Sequence, residues 1–99
     1  MTVHCEGDCH VIEQLGEKQD FESELSRFGF KHEHFTLHVV PAERKGPRAT
    51  PEQEYSVTVA NVITEQQRVY RGGPRSEWVP EVARDLATGV FGWPLLRGM

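Results

Sequence analysis

Four residues able to bind a soft metal ion stand within seven positions near the start of the chain: His4, Cys5, Cys9 and His10. Thiolate sulfur and imidazole nitrogen are the usual zinc donors, and a CxxxC spacing lets both sulfurs reach one ion. Structural zinc sites usually draw a second ligand pair from a distant segment, and His32 and His34 are the candidates here. Residues two apart on a strand share a face, so these two, with His38, would project together. Zinc is thus one reading of the cluster. The other is a solvated terminus beside a histidine-bearing sheet face, with no cofactor. A bond between Cys5 and Cys9 is not expected, because it closes a very short loop and a reducing compartment disfavours structural disulfides.

Other chemistry finds no pattern. Ser23, Ser26, Ser56 and Ser76 lie outside any GxSxG context, and the segment His32 to His38 reads HEHFTLH, which is not HExxH. Neither GxGxxG nor GxxxxGK[ST] occurs. With no catalytic residues to name, a non-enzymatic domain is expected.

The elements that would position these residues follow from periodicity. Phe21, Leu25 and Phe28 recur at helical spacing, with Asp20 as an N-cap and Gly29 as a left-handed stop. From Lys31 the period becomes two. Glu33, Phe35, Leu37 and Val39 face one way, and His32, His34, Thr36, His38 and Val40 the other. Residues 42–53, with Gly46, Pro47 and Pro51 among charges, read as a long connection open to proteolysis at Arg44, Lys45 or Arg48. Alternation resumes at Tyr55, Val57 and Val59, and a third short run covers Arg68 to Arg71. After Gly72, Gly73 and Pro74, Ser76 can cap a helix whose stripe is Trp78, Val79, Val82, Ala83, Leu86, Ala87 and Val90. The expected fold is α+β in the order α-β-β-β-α: a three-stranded antiparallel meander with two helices on one face. Its core would hold Phe21, Leu25, Phe28, Phe35, Leu37, Val39, Val57, Val59, Val82 and Leu86. Residues 1–19 read as an N-terminal arm that need not be ordered, and 20–99 as the single domain.

This order of elements is similar to that of double-stranded-RNA-binding domains, a resemblance of topology alone. It implies contacts from the loop between the first two strands and from the start of the last helix. Arg44, Lys45 and Arg48 fall in that loop, and Arg71 and Arg75 precede that helix, but the helix opens without a lysine. So little positive charge releases few counterions, and only weak binding is expected.

Ninety-nine residues fit one domain, and 26% charged against 37% hydrophobic residues is ordinary for globular chains. The net charge of −4 hides an asymmetry: residues 1–43 hold nine acids and three bases, and residues 44–75 six bases and three acids. That pattern is not the footprint of a strong nucleic-acid binder. No apolar run is long enough for a membrane span, and His4, Cys5, Glu6 and Asp8 stand where a secretory signal would be apolar, so the cytoplasm is expected. The last segment is unusually apolar for a chain end, with Phe91, Trp93, Leu95 and Leu96. A small interaction module that forms a homodimer through this tail or an open strand edge is the favoured expectation.

Overall fold

Apolar residues at every second position build a sheet, and apolar stripes at helical spacing cover one face of it. The computed structural model describes residues 3–41, 54–73 and 77–92. The chain runs β1 (His4–Gly7), α1 (Cys9–Gln14), α2 (Glu17–Arg27), a single 3-10 turn (His32–His34), β2 (Phe35–Pro41), β3 (Tyr55–Asn61), β4 (Gln66–Gly72) and α3 (Trp78–Ala87).

The fold is α+β, but the meander is only part of the sheet. Strands β2, β3 and β4 are antiparallel neighbours, Leu37 opposite Val59 and Val57 opposite Tyr70, while β1 lies parallel on β2 with His4 opposite Thr36 and Gly7 opposite Val39. The expected three-stranded antiparallel sheet with two helices is therefore a four-stranded mixed sheet with three. A parallel neighbour needs a crossover, and α1 with α2 forms it. Gly7 ends β1 at φ +83°, and a Cβ there would stand 2.2 Å from the Val39 carbonyl oxygen. Glycine thus lets the chain turn against β2, where the Asp8 amide donates to that same oxygen at 2.9 Å. Within the arm of residues 1–19, Val3 and Ile12 are buried in the same core as the rest.

The expected core forms, with one change. Phe21 and Leu25 of α2, Phe35, Leu37 and Val39 of β2, Val57 and Val59 of β3, and Val82 and Leu86 of α3 are all buried. Phe28 is only partly buried, lying past the last turn of α2 beneath the Arg27 guanidinium, 5.2 Å from the ring centre. Tyr55, Tyr70, Trp78, Phe30 and Phe91 complete the core.

Helix boundaries moved where local signals competed. Helix α2 starts at Glu17 rather than after Asp20, because Glu17, Lys18 and Gln19 all favour helix and Asp20 then serves as an acid in the first turn. It ends as expected: Gly29 sits at φ +86°, and the Phe30 amide reaches back to the Leu25 carbonyl at 2.8 Å. In α3, Pro80 occupies the first turn, where its missing N–H costs little. Leu86 on that helix is 1% exposed. Leu86→Ala is expected to lower the unfolding free energy by about 2–5 kcal/mol in a denaturant titration, and a loss below about 0.5 kcal/mol would mark the residue as a surface one.

Candidate interaction surface

The helices leave the other sheet face without cover among the described residues. It carries His4 and Glu6 from β1, Thr36, His38 and Val40 from β2, small residues in the middle on β3, and Val69 and Arg71 on β4. This alternation is why β2 places His38 outward while burying Leu37 and Val39. Val40 and Val69 are exposed on it.

The metal-ligand candidates do not converge. His4 lies on the open face, its Nε2 3.1 Å from the Glu6 carboxylate. Cys5 faces the other way, opposite Leu37 and partly buried against the core. Its sulfur is bonded to Cys9, which corrects the expectation that these two would not pair. The turn from β1 into α1 brings their Cα atoms to 6.0 Å, within the usual span of a disulfide. A cystine offers no thiolate, so the oxidised chain does not present the proposed set of His4, Cys5, Cys9 and His10. His10 is exposed on α1. His32 and His34 are not on a strand: β2 begins at Phe35, opposite Asn61, although the Val62 amide still donates to the His34 carbonyl at 2.8 Å. They form the 3-10 turn instead, and His32 Nε2 contacts Ser26 Oγ at 2.8 Å. Among the described residues no three His, Cys, Asp or Glu side chains gather into a metal-binding group.

Of the tail residues expected at a contact with a second copy, Phe91 is fully buried in its own core. Asn61 holds it there. Its Nδ2 donates to the Phe91 carbonyl at 3.0 Å, and its Oδ1 accepts the Ile63 amide at 2.9 Å, so one buried amide ties the β3–β4 turn to the chain after α3. Trp93, Leu95 and Leu96 lie outside the described residues, as do Arg44, Lys45, Arg48 and Arg75 and the whole connection 42–53. Arg71, the remaining basic candidate, is exposed on β4 opposite Ser56.

Strand β4 is longer than the run from Arg68 to Arg71 suggested, because the link before it shortens to a turn at residues 62–65. Two polar ties fix its inner side. The Tyr70 hydroxyl donates to Asp85 of α3 at 2.6 Å, and the Arg68 guanidinium approaches the same carboxylate at 3.9 Å. Burial, then the Asp85 carboxylate, raises the Tyr70 phenol well above its ordinary range. Across the core, Glu17 accepts from both the Tyr55 hydroxyl and Trp78 Nε1, joining α2, β3 and α3. The other long side of β4 has no neighbour among the described residues, and Val69 at its centre is 65% exposed.

Among the clefts of the described surface, three measure about 170, 240 and 290 Å³. All three are smaller than the ~300–1,000 Å³ usual for small-molecule sites. No helix among the described residues is long and apolar enough to cross a membrane. Comparison with known proteins finds no matching family model, no matching curated protein and no matching solved structure.

Proposed function

We propose that this chain is a non-enzymatic interaction module that forms a homodimer by pairing β4 of one copy antiparallel with β4 of another. The observation that carries the reading is the open seven-residue edge, held in shape from behind by Tyr70 and Arg68 on Asp85. An exposed edge displays a row of backbone donors and acceptors that a second strand satisfies.

The edge is also self-complementary. In a two-fold pairing centred on Val69, Val69 meets Val69, Arg68 meets Tyr70 and Gln67 meets Arg71, so no like charges stand directly opposite. The other edge of the sheet is poorer for this purpose. Strand β1 has four residues and turns away at Gly7.

Such a contact buries less than the ~1,200 Å² of a standard interface and must offset the loss of rigid-body freedom, so a dissociation constant of about 1 μM to 1 mM is expected. Sedimentation of the purified chain over that concentration range is expected to show a shift from 11.3 kDa to twice that mass. Val69→Lys places two cations face to face at the centre of the pair while altering only an exposed side chain. It is expected to abolish the dimer and keep the circular dichroism of the fold. Removing residues 93–99, which spares the buried Phe91, is expected to leave the dimer intact. A monomer at all concentrations, or a dimer lost with the tail and kept by Val69→Lys, overturns the edge reading.

A further inference from the structure

The Cys5–Cys9 disulfide sits where the sheet is most weakly held. Strand β1 is short, and parallel pairing is slightly weaker per residue than antiparallel. Of its residues His4, Glu6 and Gly7 are exposed, and only Cys5 leans on the core. The six-residue helix that follows has no side-chain cap and buries Ile12 alone, and a helix of that length does not persist in water unaided. Before the strand, Val3 is buried, and its amide donates to Glu22 Oε2 at 2.9 Å. The segment from Val3 to Gln14 is thus fastened by Val3 and Ile12 in the core, by partly buried Cys5 and Val11, and by a four-residue parallel ladder with the Asp8 amide on Val39, and the one covalent tie within it is the disulfide.

We propose that the Cys5–Cys9 disulfide is a redox-operated latch: oxidised, it keeps β1 and α1 seated beside β2, and its reduction releases them and opens the β2 edge. Both cysteines are partly exposed, so a small dithiol reaches the bond. A thiolate of the dithiol attacks one sulfur of the cystine, and the Sγ–Sγ bond breaks. The second thiol of the reductant then displaces the first cysteine and closes the reductant's own disulfide. Two electrons and two protons pass to the protein, leaving Cys5 and Cys9 as thiols.

The short loop sets the size of the effect. Freeing a closure of four to five residues multiplies the open population of the segment about twenty- to thirtyfold on the chain-entropy account. The rest of the sheet keeps its antiparallel ladders and is unaffected.

Amide hydrogen exchange of the full chain, with and without dithiothreitol, tests this, with alkylation and mass measurement counting the thiols. Reduction is expected to speed exchange about twenty- to thirtyfold in residues 4–14 and in the amides of β2 that face β1, while β3 and β4 stay protected. The double variant Cys5→Ser, Cys9→Ser is expected to show the same pattern with no reductant. Unchanged exchange in both the reduced chain and the double variant overturns the latch, as does a disulfide that dithiothreitol reduces only when the whole domain unfolds. These readouts do not involve the mass of the assembly, so they stand whether or not β4 pairs.

Discussion

Phe35→Ala is expected to remove about 3–5 kcal/mol from the unfolding free energy. The ring is fully buried at the start of β2 and meets three others: Phe30 at 5.4 Å between centres, Phe91 at 5.8 Å and Phe21 at 6.1 Å, all close to edge-on. Such pairs add about 0.5–1.5 kcal/mol beyond the area they bury. Through them one side chain joins α2, the segment leaving it, and the turn after α3, while Phe21 carries the contact on to Trp78 at 5.5 Å. A domain of this size has about 5–15 kcal/mol of stability in all, so the variant is expected to lie near its unfolding threshold at room temperature. Phe28→Ala is the matched control, because that ring is only partly buried and packs beneath Arg27. A denaturant titration giving the two variants equal losses would show that the aromatic cluster does not tie α2 and the turn after α3 to β2.

Alkaline pH is expected to unfold the protein by way of its two tyrosines. Burial raises both phenols, and each is raised further by the carboxylate it donates to, Glu17 for Tyr55 and Asp85 for Tyr70. Both folded values thus lie well above the ordinary 10.0. Below pH 10 the folded and unfolded chains alike keep these protons, and the stability is intact. Above it the unfolded chain releases protons that the folded chain retains, so stability falls by up to about 1.4 kcal/mol per pH unit for each phenol. Phenolate absorbance is expected to rise together with the loss of far-ultraviolet circular dichroism, and Tyr55→Phe or Tyr70→Phe to flatten the decline. Free titration of both phenols near pH 10 with the circular dichroism unchanged would contradict the buried, carboxylate-paired placement of their hydroxyls.

The β4 edge, open among the described residues, and the disulfide lie at opposite sides of one sheet. The described residues present strand edges and a sheet face of small and polar side chains on which Val40 and Val69 are exposed. The aromatic cluster and the Glu17 and Asp85 ties keep that sheet in one shape, which an edge must have if a second strand is to match its register.

What the sequence by itself determined is whatever depends on near neighbours along the chain. The alternation in Phe35–Val39 and Tyr55–Val59 is a property of strand geometry, and it correctly placed both inward faces and put His38 outward. The stripe of Trp78, Val82 and Leu86 follows from helical spacing, and the stop at Gly29 from the left-handed conformation that glycine adopts without strain. Tertiary structure decided the rest, because the partner in each case lies far along the chain. Strand β1 alternates too little to announce itself, and it is a strand only because the edge of β2 offers its backbone hydrogen-bonding partners. His32 and His34 continued the alternating pattern in sequence, but the backbone there takes a 3-10 turn before β2 begins at Phe35. The Cys5–Cys9 bond required the turn at Gly7 to bring two Cα atoms together. Phe91 read as part of an apolar tail to be covered by a second copy or by its own core, and Asn61, thirty residues away, takes its carbonyl in the core. Local periodicity reports which side of an element is apolar; which element arrives to cover that side is set by burial and backbone hydrogen bonding summed over the whole chain.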